Sequence, residues 1–262
     1  MKNKLKMPVP DSIIDNDKLY ARIYGEGEPV LMIHGNCGSG FTFSKIIAPL
    51  TDTGKYKLII IDLPHHGSCR NKTPGFADNP TLAVQYCVHI LKELSIISCH
   101  ICGHSLGGMI GLLLCIQHSG YVKSLALMDN YVKIPERPAE LSNWIYPGNE
   151  RLYKAEVDDA FDDGPGVRWI SGFDVAGSVN KITCPVLELQ AESMPGTEKI
   201  FANWTAEKRA GFPANWEIKR VPRSGHFIQI EQPQATIDLL DKFWRKIYNC
   251  KQSMDFKNPI KK

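Results

Sequence analysis

Apolar residues in this chain fall into two kinds of run, and the two kinds alternate. Val30-Leu31-Met32-Ile33 and Leu58-Ile59-Ile60-Ile61 are unbroken apolar stretches of strand length, the pattern of strands buried on both faces of a parallel sheet. Cys99-His100-Ile101-Cys102, Leu125-Ala126-Leu127-Met128, residues 185–189 and residues 216–221 read as further strands. Between them, 41–50, 80–94, 109–117, 197–209 and 234–248 read as helices. This alternation predicts an α/β fold, a mostly parallel sheet flanked by helices on both faces. Ahead of it, 11–24 reads as an antiparallel hairpin closed by the turn-forming Asp15-Asn16-Asp17. The Lys-rich tail after Cys250 is expected to fray.

The pattern lapses over 130–181, which carries prolines at 135, 138, 147 and 165 and the acidic pairs Asp158-Asp159 and Asp162-Asp163. Two short helices are all it supports, so it reads as a short helical cap inserted into one core domain, with 1–129 as the first part and 182–262 as the second. Its aromatics Trp144, Tyr146, Tyr153, Phe161, Trp169 and Phe173 fit either a substrate pocket or a small packing core.

A chain of 262 residues with 43% hydrophobic and 23% charged content is ordinary for a globular protein. Its net charge of +3 is too slight to imply nucleic acid as a partner. No uninterrupted apolar run reaches the about 18 residues that a membrane span requires. The basic start, through Lys6, leads into Met7-Pro8-Val9-Pro10-Asp11 rather than a signal-peptide core, so a cytoplasmic location is expected. The eight cysteines, scattered through predicted elements, then read as reduced and mostly buried thiols. Cys99-x-x-Cys102 resembles a metal pair, but residues three apart on a strand point to opposite faces and cannot grip one ion. Without secretion, the acceptor patterns at Asn71 and Asn203 carry no meaning.

Candidate chemistry centres on Gly103-His104-Ser105-Leu106-Gly107-Gly108. A strand, a G-x-S-x-G turn and a helix in immediate succession make a nucleophile elbow, in which only small residues fit beside the exposed serine. A serine hydroxyl needs a base, and His226, in the loop after the last strand, stands at the sheet edge where ligands of parallel folds gather. His104 is expected to point away from Ser105, and His34 to brace its own loop. The oxyanion of acyl transfer needs two donors, assigned to the backbone N–H groups of Leu106 and of Asn36 in the loop after the first buried strand. The Asn36 amide can add a substrate contact or a turn contact. No metal or organic cofactor is required.

With these motifs, and with His34-Gly35-Asn36-Cys37-Gly38-Ser39 and Asp62-Leu63-Pro64-His65-His66-Gly67-Ser68, the chain resembles the α/β-hydrolase superfamily over nearly its full length. Relatives usually carry glycine at the position of His65. They also often place the triad acid after the strand at 185–189, in Gly-x-x-Asp, where this chain has Ala191-Glu192-Ser193-Met194. Two carboxylates remain. Asp129 ends the strand after the nucleophile helix, where some superfamily members, certain dehalogenases among them, carry their acid; Glu192 is the alternative. Asp129 is preferred, against a purely structural role in capping the next segment. A serine nucleophile argues against dehalogenation.

The resemblance implies a serine hydrolase acting on a small carboxylic ester or thioester through an acyl-enzyme, with Ser105, His226 and Asp129 as the triad. The same residues suit C–C bond or lactone hydrolysis, or a slow, non-catalytic small-ligand receptor on this fold. A substrate panel separates the first two, and tight binding without turnover marks the receptor.

Overall fold

A computed structural model describes residues 7–36, 38–69, 80–133, 173–192 and 212–255. In chain order the strands and helices are β1 (Ser12–Asp15), β2 (Tyr20–Tyr24), β3 (Glu28–Ile33), α1 (Ser44–Thr51), β4 (Tyr56–Ile61), α2 (Pro80–Glu93), β5 (Cys99–His104), α3 (Leu106–Gln117), β6 (Val122–Met128), β7 (Val186–Ala191), β8 (Trp216–Val221), α4 (Ile228–Glu231) and α5 (Pro233–Asp255). The strands form one sheet of eight in the order β1-β2-β4-β3-β5-β6-β7-β8. β1 and β2 pair antiparallel, as does β2 with β4, and every pairing from β4 across to β8 is parallel. This is the α/β architecture that the alternating pattern predicts.

Side chains alternate across a strand, so each apolar run divides between two faces. Leu31, Ile33, Ile59, Ile61, Ile101, Leu125 and Leu127 pack on one side with residues of α2 and α3, such as Ile90 and Leu112. Val30, Met32, Leu58, Ile60, Ala126, Met128 and Leu187 face the other, where Ile46 and Ile47 of α1 and Leu240 and Trp244 of α5 cover them. Cys99 and Cys102 fall on opposite faces in the same way. Both are buried free thiols, and burial pushes Cys99 up to about 12. At the end of the sheet where β5 begins, the thiols of Cys115 and Cys184 lie 3.7 Å apart without a disulfide.

The turn of the opening hairpin owes its shape to one side chain: Asn16 Oδ1 accepts from the backbone N–H groups of Lys18 and Leu19 at 2.9 and 2.8 Å. The helix expected over 41–50 begins as a 3₁₀ turn over Gly40–Phe43, whose first donor, Phe41 N–H, is accepted by Ser39 Oγ. α5 runs on to Asp255, past the expected end at 248 and past the point where the tail was expected to fray. The apolar stripe ends there, but no glycine or proline occurs until Pro259, and an established helix continues on its own backbone bonds.

The helix expected over 197–209, the acceptor patterns at Asn71 and Asn203, and residues 134–172 of the expected cap, with five of its aromatics, lie outside the described residues. The two ends of the inserted segment meet, since Lys133 and Asp174 form an antiparallel bridge and their side chains pair at 2.6 Å. The described remainder packs rather than projects: Phe173 and Val175 join the core beside α3.

A fully buried carboxylate, Asp62 at the end of β4, ties three segments to the sheet edge. It accepts from Gly40 N–H at 2.7 Å, from Ser68 N–H at 2.9 Å and from the Arg22 guanidinium at 3.3 Å. Gly67 has a φ of +48°, and a Cβ there would lie 2.6 Å from Asp62 Oδ2, so the approach requires glycine. Removing the carboxylate orphans two backbone donors and takes the ion-pair partner from a mostly buried cation. Asp62→Ala is therefore expected to lower the unfolding free energy by about 3 kcal/mol, read from urea titration; a loss below about 1 kcal/mol would contradict this role.

Candidate active site

Ser105 sits between the last residue of β5 and the first of α3, with φ of +50° and ψ of −116°. A side chain in that region costs about 1–3 kcal/mol and persists only where its surroundings enforce it. A Cβ on Gly107 would collide with the carbonyl of Ile33, and one on Gly103 with the backbone of Gly107, so only glycine lets the turn seat against the end of β3. Hydrogen bonds hold the seat: Ser105 N–H donates to Met128 O at 3.0 Å, and Gly108 N–H donates to Ser105 O at 2.9 Å. Asn130 Nδ2 donates to the same carbonyl at 2.6 Å. Nothing in the sequence motif singles out Asn130.

Across the sheet edge, His226 follows β8 in a loop gripped by Glu231, whose carboxylate accepts from Gly225 N–H at 3.0 Å and from Phe227 N–H at 3.2 Å. Of the two candidate acids, the structure brings Asp129 to this histidine. Asp129 Oδ2 lies 2.7 Å from His226 Nδ1, while Oδ1 accepts from Ala191 N–H at 3.1 Å. Asp129 itself holds a φ of +43°, with its N–H on Leu189 O at 2.8 Å. Glu192 is turned elsewhere and accepts from Arg223 N–H at 2.8 Å, closing the turn after β8.

The loop after β3 is braced by His34. Its Nδ1 faces the Gly35 carbonyl at 2.7 Å and so carries the proton, leaving Nε2 to accept from Leu63 N–H at 2.9 Å. Burial, and then the neighbouring His66, hold this imidazole neutral by pushing its pKa down to about 3. Beyond it the loop runs close to the elbow: a Cβ on Gly35 would be 3.1 Å from Ser105 Cβ. Asn36 comes next and is buried, with its Oδ1 lacking a hydrogen-bond partner. Leu106 opens α3, where a backbone N–H has no acceptor within the helix and the helix dipole favours negative charge. The structure thus brings Ser105, Asp129, His226, Asn36 and Leu106 to the same end of the sheet.

Two histidines depart from expectation in detail. His65, where relatives usually carry glycine, adopts a φ of +61°, a region in which histidine is among the more tolerated side chains. His104, expected to point away from Ser105, is not a bystander: its ring lies tilted 4.7 Å from that of His226 and 5.0 Å from that of Phe227. Among the described residues, no group of three or more His, Cys, Asp or Glu side chains is arranged to hold a metal ion. No helix among them is long and apolar enough to cross a membrane.

A family model described as alpha/beta hydrolase fold matches residues 28–165, more than half of the chain. The chain is similar to the sn-1-specific diacylglycerol lipase ABHD11 of Mus musculus, at 21% identity over 274 residues, covering 90% of this chain and 85% of that protein. It is also similar to the dihydrolipoyllysine-residue acetyltransferase component of the acetoin cleaving system of Cupriavidus necator, at 33% identity over 112 residues, 42% of this chain but only 28% of that protein. Among solved structures, the enol-lactonase from Burkholderia xenovorans LB400 superposes with a TM-score of 0.73 at 16% identity, covering 87% of this chain and 96% of that one, which shows a shared fold.

The neutral His34 predicts an acid limb in stability. Its folded pKa lies below that of the unfolded chain, so its contribution is complete above about pH 6.5 and is lost as pH falls toward about 3. Wild type is expected to lose more unfolding free energy than His34→Gln between about pH 7 and about pH 5, measured by urea titration. Equal losses would contradict the assignment.

Proposed function

The chain belongs to the α/β-hydrolase family, and from that premise we propose that it is a serine-dependent hydrolase of a small carboxylic ester or thioester. The observation that carries the reading is the 2.7 Å contact between Asp129 and His226 Nδ1 at the sheet edge that also presents Ser105. A carboxylate there fixes the tautomer with hydrogen on Nδ1, leaving the Nε2 lone pair to act as base. Similarity to a diacylglycerol lipase supports an ester bond as the target.

In this mechanism Ser105 Oγ attacks the substrate carbonyl as its proton passes to His226. Negative charge develops on the former carbonyl oxygen and is met by the backbone N–H groups of Leu106 and Asn36. His226 then gives its proton to the leaving alcohol or thiol, and Asp129 stabilises the imidazolium in between. Water, activated by the same histidine, attacks the acyl-enzyme, and the acid departs with Ser105 restored. A cytoplasmic setting belongs to the same reading, supported by the six described cysteines, all free thiols. So does a cap formed by 130–181, supported by the Lys133 bridge to Asp174, four residues beyond Asp129.

Turnover of p-nitrophenyl acetate and labelling by a fluorophosphonate test the reading. Ser105→Ala is expected to lose both, and Asp129→Asn to lose turnover by about 10²–10⁴-fold, while Glu192→Gln stays within about threefold of wild type. Full activity in Ser105→Ala would overturn the proposal. Near-full activity in Asp129→Asn beside a large loss in Glu192→Gln would move the acid to Glu192.

A further inference from the structure

His104 occupies the variable position of the elbow motif, beside Ser105 in the chain, and its side chain is almost completely buried. Its Nε2 lies 2.7 Å from the backbone carbonyl oxygen of His226. A carbonyl can only accept, so Nε2 carries the hydrogen and Nδ1 is a bare lone pair. That Nδ1 is buried without a hydrogen-bond partner, and a Cβ on Gly35 would lie 2.8 Å from it, so a second proton there would have no acceptor and little room. We propose that His104 is a positioning residue, a neutral one-way donor that fixes the backbone of His226 relative to the adjacent Ser105.

The spacing between nucleophile and base then runs through one short path: the peptide link from Ser105 to His104, the His104 ring, and its hydrogen bond to the residue that carries the base. Burial first, and then the nearby His226, keep the His104 pKa well below the ordinary histidine value, so the donor does not switch across working pH. Asp129 fixes the His226 ring at Nδ1, and His104 fixes the same residue at its carbonyl. The two contacts constrain different degrees of freedom. Losing the second lets the backbone shift while the ring keeps its acid partner, and displacement on the scale of 1 Å is enough to cost about 10²-fold in rate.

This inference rests on the serine-hydrolase reading, and its test separates the two. His104→Phe keeps a ring and removes the N–H, whereas His104→Gln keeps an N–H at comparable reach. With p-nitrophenyl acetate, His104→Phe is expected to lower kcat at least about tenfold with KM changed less than about twofold, and fluorophosphonate labelling of Ser105 to slow in parallel. His104→Gln is expected to return kcat to within about threefold of wild type. Circular dichroism and thermal unfolding establish that each variant is folded, and His104→Met, also without an N–H, replaces the Phe variant should that one not fold. A folded variant lacking the N–H but with wild-type kcat, or a folded His104→Gln no faster than it, would overturn the positioning role. Wild-type turnover in Ser105→Ala would instead overturn the serine-hydrolase reading itself.

Discussion

The closest backbone approach at the elbow, between Gly107 at the start of α3 and the carbonyls of Ile33 and His34 at the end of β3, is the constraint from which the candidate site follows. Two parallel neighbours, β3 and β5, must bring a helix start and a loop start to within contact, and no side chain fits between them. Once they touch, Ser105 is driven into a left-handed conformation that lifts it out of the sheet. The same contact places the loop carrying Gly35 and Asn36 beside the first turn of α3. The serine and the two backbone N–H groups of the proposed site thereby share one steric origin rather than three.

What the sequence discloses follows from how local each feature is. The strands are legible because burial on both faces leaves continuous apolar runs, and the elbow is legible because its glycines are fixed by contacts within a few residues of one another. His226 is legible because topology alone puts the loop after the last strand at the carboxyl edge of the sheet. Choosing between Asp129 and Glu192 is not, because both end neighbouring strands and only the direction of the side chain separates them. Glu231, Asn130 and His104 act on the site through backbone groups of other segments, and no spacing rule marks such a partner in advance. The helical reach of α5 beyond 248 was hidden for a different reason, since its apolar stripe stops before its backbone does.

Three histidines at this edge are sorted by environment into different work. His34 and His104 are buried, each with one ring nitrogen committed to a carbonyl, and burial keeps both neutral. Such rings stay neutral near neutral pH, which suits groups that hold the loop after β3 and the backbone of His226 in register. His226 differs on both counts: 13% of its side chain is exposed, and a carboxylate rather than a carbonyl meets its Nδ1. The base proposed for the reaction has to accept and return a proton, and a carboxylate at Nδ1 stabilises the cation formed in between.

The position of the proposed acid also changes what β7 does. In the common arrangement the residue after this strand supplies the carboxylate as a side chain, whereas here Ala191, its last residue, supplies a backbone N–H to a carboxylate from β6. That donor, together with the bond from Asp129 N–H to Leu189 O, holds Asp129 in a left-handed conformation that a side chain rarely adopts unaided. In the proposed triad β7 therefore supports the acid rather than supplying it. Because the support is a backbone N–H, any residue at 191 except proline can give it. The absence of aspartate after β7 is thus compatible with the proposed triad, whose acid is held through the backbone register of β7 against β6 rather than through the side chains of 191–192.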